Sequence, residues 1–310
     1  MTKTSKTIVF FGSGPVAARS LELLTEHFII EAVITKPRAE HHRGSVPVLE
    51  LCDRLGIKTF TPANKQELSA LFAKKPVTSS VGVVIDYGII IAQDVIDFFP
   101  YGIVNSHFSL LPEWRGADPI TFSVLSGQKQ TGVSLMLIVA AMDEGPLLAQ
   151  APYDLPDDIT TPQLTEDLIQ LSDQTLAQVL PLYLEGKVDP APQEEVTMAP
   201  SRTASYSRKL TKDDGIIDWN KPAQQIEREI RAYQGWPKSR TTLGGKEIVI
   251  TQASVVEATH KPAQTVVEGK QLIIGTAEQS LAIKKLKPAG KAEMTAEAFL
   301  AGYGNLLSQD

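Results

Sequence analysis

Short apolar runs alternate with helix-like segments through the first 150 residues of this 310-residue chain. Five of the runs have the length and the bounding Gly, Pro or polar residues of buried strands, at 7–11, 29–35, 81–86, 102–105 and 133–139. This alternation is typical of βαβ units, so it predicts an α/β domain with a parallel-rich sheet and helices on both faces. In such a domain, ligands bind at the carboxyl ends of the strands.

The character of the chain changes after a long helical pattern. Leucines at helical spacing occupy 164–184, which predicts a helix packed on the first domain. The stretch 189–200 is polar and proline-rich, as extended linkers are. Four short strand candidates follow and predict a small β-barrel, at 248–256, 265–267, 271–275 and 280–285. We therefore predict a first domain at 1–188, a linker at 189–204 and a second domain at 205–310.

Composition narrows the classes of function. The single cysteine, Cys52, excludes an internal disulfide and a multi-cysteine metal site, and a reducing cytoplasmic location is expected. No apolar run approaches the roughly 20 residues that span a bilayer, so no membrane association is expected. The net charge of −6 argues against nucleic-acid binding by bulk electrostatics. However, residues 205–310 hold 15 Lys/Arg against 12 Asp/Glu, whereas residues 1–204 hold 15 against 24. The second domain is therefore the better candidate for contact with an anionic partner.

The first strand is followed by a glycine-containing turn. Gly12-Ser-Gly-Pro-Val-Ala17 matches the G-x-G-x-x-A pattern of dinucleotide-binding folds. Such folds place an acidic residue at the end of the second strand, but Thr35 and Lys36 stand there. A tight turn between strand and helix is therefore the favoured interpretation, and dinucleotide binding is the weaker one.

Asn105 and His107 are the first candidates for catalysis. They lie two residues apart at the end of a predicted strand, so both side chains project from one face. An amide beside an imidazole suits stabilisation of an oxyanion and proton transfer, although a strand-end histidine alone is more often structural. A third group is needed to set the charge and tautomer of the ring. Asp143 supplies a carboxylate for this purpose, whereas its neighbour Glu144 faces the opposite way in an extended chain.

The residues around these positions resemble the folate-dependent formyltransferase family. The resemblance rests on Asn105-Ser-His107, Ser109-Leu-Leu-Pro112, Trp114-Arg-Gly-Ala117, Thr131-Gly-Val133 and Asp143-x-Gly145. The second half is similar to the members of this family that act on methionyl-tRNA. The motifs that carry this similarity are Ala204-Ser-Tyr-Ser-Arg-Lys-Leu-Thr-Lys212, Ile230-Arg-Ala-Tyr-Gln-Gly-Trp-Pro237 and Leu286-Lys-Pro-Ala-Gly-Lys291. Nearly the whole chain is covered.

The resemblance implies a Rossmann-like formyltransferase domain followed by an OB-fold-like barrel. It implies transfer of a formyl group from 10-formyltetrahydrofolate to the amino group of initiator methionyl-tRNA, in support of translation initiation. Asn105 and a protonated His107 would stabilise the tetrahedral oxyanion, while Asp143 would favour the charged imidazole and orient proton transfer. The residues implied to lie at the folate are Tyr87, Ile89, Ser109, Leu110, Leu111 and Pro112. No metal is required, and a monomer is expected.

The departures from the family pattern concern contact with tRNA. The loop 36–44 is shorter and less basic than in the family, although Lys36, Arg38 and Arg43 are candidates for phosphate contact. Glu113 stands where the pattern has a basic residue. Three other interpretations remain open: a formyltransferase acting on a small amine such as an amino sugar or nucleotide precursor, a folate- or RNA-binding module without catalysis, and a formyl-folate hydrolase.

Overall fold

A computed structural model of the chain describes residues 7–38, 44–196 and 203–307. These residues divide into two compact units. The first takes its residues from 1–116, 130–154 and 165–207, and the second from 117–129, 155–164 and 208–310. Two segments of the predicted first domain thus group with the second unit. The boundaries at 1–188, 189–204 and 205–310 stay a prediction.

The first half of the chain contains the predicted alternation of strands and helices. Its strands are β1 (Thr7–Gly12), β2 (Ile29–Ile34), β3 (Thr59–Phe60), β4 (Gly82–Ile85), β5 (Ile103–His107), β6 (Arg115–Gly116), β7 (Gln130–Leu137) and β8 (Leu147–Asp154). Its helices are α1 (Gly14–Leu24), α2 (Pro47–Leu55), α3 (Lys65–Phe72), α4 (Gln93–Ile96), α5 (Pro119–Ser126), α6 (Thr161–Leu184) and α7 (Gln193–Val196).

Seven of these strands form one sheet in the order β3-β2-β1-β4-β5-β7-β8. The first five run parallel, whereas β7 and β8 are antiparallel to their neighbours. The prediction of a parallel-rich α/β sheet is confirmed. Strand β8 was not predicted, because it contains Pro152 and lacks β-branched residues; as an edge strand it tolerates the missing N–H donor. The carboxyl ends of β1, β2, β4 and β5 lie at the same edge of the sheet.

Close packing and backbone conformation in the turn between β1 and α1 account for the glycines of the G-x-G-x-x-A match. A Cβ atom on Gly12 would lie 2.5 Å from the Phe10 ring and 2.8 Å from the carbonyl oxygen of Ile85, so only glycine fits. Gly14 has a φ of +88°, which also favours glycine. Thr35 lies 3.3 Å from the Ser13 hydroxyl, where a dinucleotide-binding fold has its acid. This geometry supports the interpretation as a tight turn.

The second half of the chain contains mostly antiparallel strands. The strands are β9 (Tyr206–Ser207), β10 (Ser239–Leu243), β11 (Lys246–Val256), β12 (Thr265–Glu268), β13 (Gln271–Gly275), β14 (Ser280–Pro288) and β15 (Met294–Thr295). The helices are α8 (Ala223–Ala232) and α9 (Ala296–Leu307). The sheet order is β10-β11-β14-β13-β12, with β15 paired to β14. Register shifts in β11 on either side of Gln252 bend the sheet, as a small barrel-like domain requires.

The second unit has its own apolar core. Ile226 and Ile230 of α8 and Phe299 of α9 are buried together with Ile250 and Leu286 of the sheet. Helix α8 alternates this apolar face with charged residues, which is the pattern of a helix packed on one side. Across 7–38, 44–196 and 203–307, the helices are too short or too polar to cross a membrane.

Arg208, in the motif Arg208-Lys-Leu-Thr-Lys212, forms an ion pair with Asp214 that makes the stability of the second unit depend on pH. Hydrogen bonds from Arg208 hold the pKa of Asp214 well below its usual range, and Thr211 donates to the same carboxylate at 2.7 and 2.8 Å. A carboxyl group with a depressed folded pKa stabilises the fold above its unfolded pKa of about 4, and this contribution is lost as the pH falls through the folded value. We expect Asp214→Asn to lower the free energy of unfolding at pH 7 by about 1–2 kcal/mol.

Thermal unfolding of the wild type and Asp214→Asn between pH 2 and pH 7 measures this effect. The difference between the two proteins should shrink toward acidic pH. A difference that stays constant over this range would contradict the assignment. Asp213→Asn is the control, because that carboxylate neighbours Asp214 in the chain and is exposed, and no side-chain hydrogen bond holds it among the described residues.

Candidate active site

Strand β5 directs Asn105 and His107 to one face of the sheet. Between them, the Ser106 hydroxyl lies 2.6 Å from that of Ser172 in α6, so Ser106 occupies the opposite face. The His107 side chain is 7% exposed, and Asn105 is half-buried. Within the described part of the chain, no hydrogen bond engages the Asn105 amide. The two side chains therefore share one face of the sheet, as the sequence predicts.

The histidine ring is held by a main-chain carbonyl. Nε2 of His107 lies 2.9 Å from the oxygen of Trp114, and because that oxygen can only accept, Nε2 carries a hydrogen. Nδ1 lies 4.0 Å from Oδ2 of Asp143, beyond direct hydrogen-bond distance. A second proton on the ring would therefore enter at Nδ1, facing the carboxylate.

Asp143 is fixed by its own hydrogen bonds. Its Oδ2 accepts from the backbone N–H of Gly116 at 2.7 Å, and its side chain is 15% exposed. Both Asp143, with a φ of +53°, and Trp114, with a φ of +57°, adopt the left-handed conformation that side chains disfavour. Glu144 points away and forms an ion pair with Arg115 at 3.0 Å. The structure thus brings Asp143 to His107 and directs Glu144 elsewhere.

Residues at the start of the predicted second domain, Ser205–Ser207, hold the loop that contacts His107. Strand β9 pairs with β6, and Ser205 accepts hydrogen bonds from the backbone N–H groups of Trp114 and Arg115, at 3.0 and 2.9 Å. Gly116 has a φ of +103°, and a Cβ there would lie 2.5 Å from the carbonyl oxygen of Ser207. The close approach of β9 therefore requires glycine at the residue that binds Asp143.

The segment from Ser109 to Pro112 is buried rather than open to a ligand. Ser109 donates to the carbonyl oxygen of Glu113 at 2.5 Å, and Ser134 donates to that of Ser109 at 2.7 Å. Leu110 lies in the core, and Leu111 packs with Met136 and Leu147. These side chains fix the loop between β5 and β6. Their contact with folate stays a prediction.

Tyr87 and Ile89 follow β4, next to β5 at the carboxyl edge of the sheet. The Tyr87 ring packs edge-on against Phe11, with ring centres 5.7 Å apart, and burial raises the pKa of its hydroxyl. The Tyr87 oxygen is buried and has no hydrogen-bond partner among the described residues. Ile89 packs on the same core, whereas Ile90 is 75% exposed. The segment therefore exposes an apolar side chain above a buried tyrosine.

The predicted tRNA-contacting residues follow β2 at the same edge of the sheet. Lys36 is exposed, and its ammonium nitrogen would lie 2.7 Å from a Cβ on Gly88, so it reaches toward the segment after β4. Arg38 is exposed, donates to the carbonyl oxygen of Gly44 and lies 3.9 Å from Glu50. Arg43 lies outside the described residues.

Sequence reasoning missed some of the residues that support the site. Arg115, Gly116 and Ser205 lie within motifs of the family resemblance, although the pattern alone predicts no role for them. Gln193, in the proline-rich stretch, gave no signal; it donates to the carbonyl oxygen of Asp143. Of the residues that the structure describes, no group of three or more His, Cys, Asp or Glu could hold a metal ion.

At its end, the loop that carries Asp143 packs closely against the backbone at the end of β7. A Cβ on Gly145 would lie 1.7 Å from the carbonyl oxygen of Leu137, and Leu137 in turn donates to Pro146. We expect Gly145→Ala to displace the Asp143 loop and to lower the turnover of the folded protein by about 100-fold, the effect of a misplacement of roughly 1 Å. Steady-state kinetics and thermal unfolding of this variant measure the effect. Gly302→Ala in α9, where a Cβ meets nothing within 4 Å, is the control. A folded Gly145→Ala protein with wild-type turnover would contradict this expectation.

Solved structures share the fold. An N-formyltransferase from Helicobacter canadensis, in complex with folinic acid and dTDP-3-aminofucose, matches 90% of this chain and 98% of its own, with a TM-score of 0.66 and 16% identity. HypX from Aquifex aeolicus in complex with tetrahydrofolic acid matches 98% of this chain and 48% of its own, with a TM-score of 0.62 and 14% identity.

Sequence comparisons identify the family. The methionyl-tRNA formyltransferase of Roseiflexus castenholzii is 36% identical over 307 residues, which cover 96% of each chain. That of Myxococcus xanthus is 34% identical over 301 residues, or 96% of this chain and 95% of the relative. The formyl transferase family model matches residues 6–180, and the model of the formyl transferase C-terminal domain matches residues 209–304. The chain therefore belongs to the formyl transferase family.

Proposed function

We propose that this chain is a methionyl-tRNA formyltransferase, which transfers a formyl group from 10-formyltetrahydrofolate to the amino group of initiator methionyl-tRNA. The observation that carries the chemistry is the arrangement of His107 between the Trp114 carbonyl and the Asp143 carboxylate, beside an Asn105 amide without a hydrogen bond among the described residues. The observation that carries the substrate is identity above 30% over nearly the full length of relatives that bear this name.

The chemistry requires one bond exchange and one proton transfer. The amine nitrogen bonds to the formyl carbon, the bond from that carbon to the donor nitrogen breaks, and a proton passes from the amine to the departing nitrogen. The Asn105 amide donates to the formyl oxygen as negative charge develops there. Nδ1 of His107 is positioned to exchange the proton, because Nε2 is bound to Trp114. Asp143 stabilises positive charge on the ring.

The residues after β4 fit a pterin. The exposed Ile90 offers apolar contact to the ring, and the buried Tyr87 forms the core beneath this segment, with a hydroxyl that has no hydrogen-bond partner among the described residues. The donor supplies the formyl carbon as the electrophile. Ser109, Leu110, Leu111 and Pro112 are buried and fix the loop between β5 and β6, and their contact with the folate is part of this proposal.

We assign the chemistry to residues 1–188 and contact with the tRNA to residues 205–310, joined at 189–204. The excess of three positive charges in 205–310 favours this assignment, because phosphate contacts supply most nonspecific affinity for nucleic acids. Lys36, Arg38 and Arg43 are the candidates for tRNA contact in the first domain. We expect the protein to act as a monomer in the cytoplasm.

Formyl transfer to defined acceptors tests the proposal. The purified chain is incubated with formyl-labelled 10-formyltetrahydrofolate and either initiator or elongator methionyl-tRNA, an amino sugar nucleotide or no acceptor. Label on initiator methionyl-tRNA with little on the elongator is the expected result. Label on the sugar nucleotide alone would favour the small-amine alternative, and free formate without an acceptor would indicate a hydrolase. Folate binding without any product would identify a binding module.

A further inference from the structure

Gln193 lies in the segment predicted as a linker, yet its side chain is engaged with the catalytic loop. The residue is 3% exposed. Its Nε2 donates to the carbonyl oxygens of Asp143 and Gly145, at 2.8 and 3.1 Å, and its Oε1 accepts from Nη2 of Arg115 at 2.8 Å. One amide group therefore connects two separate segments of the site.

These partners determine the orientation of the Gln193 amide. Rotation by 180° would place its NH₂ group against the Arg115 guanidinium and its oxygen against two carbonyl oxygens, leaving every group opposite another of its own kind. A buried amide with satisfied hydrogen bonds on both sides is costly to disrupt, because the groups that lose a partner remain out of water.

The contacts converge on three consecutive residues of the loop. Gln193 binds the main chain of Asp143 and Gly145, and Arg115 forms its ion pair with the intervening Glu144. Asp143 has a positive φ, a conformation that persists only where surrounding contacts hold it. Gln193 therefore stabilises the backbone conformation from which the Asp143 carboxylate reaches toward His107.

Gln193 is itself held in place by backbone pairing. Two residues earlier, Ala191 pairs with Leu147 at the start of β8, with hydrogen bonds of 2.7 and 2.9 Å in the two directions. Helix α7 begins at Gln193. The Asp143 loop ends where β8 begins. The pairing of Ala191 with Leu147 therefore fixes both the end of this loop and the position of Gln193.

We propose that Gln193 is a positioning residue for formyl transfer, which sets the position of the Asp143 carboxylate through the main chain of its loop. This inference rests on the proposed catalytic role of Asp143. On this proposal, residues 191–193 belong to the structure that holds the catalytic residues in place. Gln193 touches no reacting atom in this proposal, so its loss lowers turnover through Asp143 alone.

Two variants distinguish a role of Gln193 in positioning Asp143 from a general contribution to the stability of the fold. Gln193→Met keeps the approximate volume of the side chain and removes all its hydrogen bonds. Gln193→Glu keeps an acceptor for Arg115 but removes both donors to the loop. We expect each to lower kcat by roughly 10- to 100-fold, with the KM for the formyl donor changed less than about threefold. Glu194→Gln, at the exposed neighbouring position, should retain wild-type kinetics. Wild-type kcat in Gln193→Glu would overturn the proposal, and this variant carries the test if Gln193→Met does not fold.

A double-mutant cycle with Asp143→Asn, measured under single-turnover conditions, identifies the route of the effect. If Gln193 acts through Asp143, the Gln193 substitutions should change the rate less than about twofold in the Asp143→Asn background. If the fold-losses in rate of the two single variants multiplied in the double variant, the proposal would be overturned. Hydrogen exchange supplies a readout that is independent of catalysis: the backbone amides of residues 138–145 should exchange faster in Gln193→Glu, and unchanged exchange there would also overturn the proposal. Wild-type activity of Asp143→Asn alone, by contrast, would refute the role of Asp143 and leave the exchange result to decide whether Gln193 anchors the loop.

Discussion

Replacing His107 with alanine is expected to lower kcat for formyl transfer by about 10²–10⁴-fold, the usual contribution of a side chain that transfers a proton. The reason is geometric, because Nε2 is bound to the Trp114 carbonyl while Nδ1 faces Asp143 at 4.0 Å. Removal of the ring leaves a carboxylate without the group whose charge it stabilises. Binding of the formyl donor should change little, since the segment after β4 is untouched.

His107→Gln sharpens this test. Glutamine can still donate to the Trp114 carbonyl but cannot take up a proton, so it should be about as inactive as alanine. A glutamine variant with near-wild-type turnover would show that the histidine only supports the loop. His27→Gln is the control, because that ring lies against Asp173 in the same unit and contacts none of the site residues. Rates come from single turnovers, and folding is checked by thermal unfolding.

Asn105→Ala is expected to lower kcat by about 10²–10³-fold, the effect of removing one donor to a developing oxyanion. The Asn105 amide is half-buried and has no hydrogen bond within the described residues, so its loss breaks no hydrogen bond among them. Stability should therefore stay close to that of the wild type. The measurement is kcat, together with the affinity for a nonreactive folate, which should be nearly unchanged.

Asn105→Asp has the same size but replaces the donor with a negative charge. We expect it to be at least as impaired as Asn105→Ala, because the carboxylate repels the charge that develops on the formyl oxygen. If the aspartate variant retained activity while the alanine variant lost it, Asn105 would act by filling space. Ser106→Ala is the control on the same strand. Its hydroxyl bonds to Ser172 on the opposite face, so it should affect stability rather than turnover.

The sequence predicts the fold of the first domain and the placement of Asn105 and His107 on one face of a strand, because both depend on local periodicity. Buried parallel strands are continuous apolar runs, and residues two apart in a strand share a face. Edge strands have weaker patterns. Strand β8 contains Pro152, and β10 is mostly polar, so neither was predicted.

The chain by itself determined which residues are capable of the chemistry, namely an amide and an imidazole two positions apart and a carboxylate further along. Only the tertiary structure decided which ring nitrogen of His107 is bound and which faces Asp143, because a left-handed Trp114 and a returning β7–β8 loop set those distances. The same holds for Gln193. The stretch around Gln193 has the composition of a linker. The contacts of Gln193 exist only because Ala191 pairs with Leu147, 44 positions earlier in the chain. Such long-range pairings leave no periodic signal in the sequence around either partner.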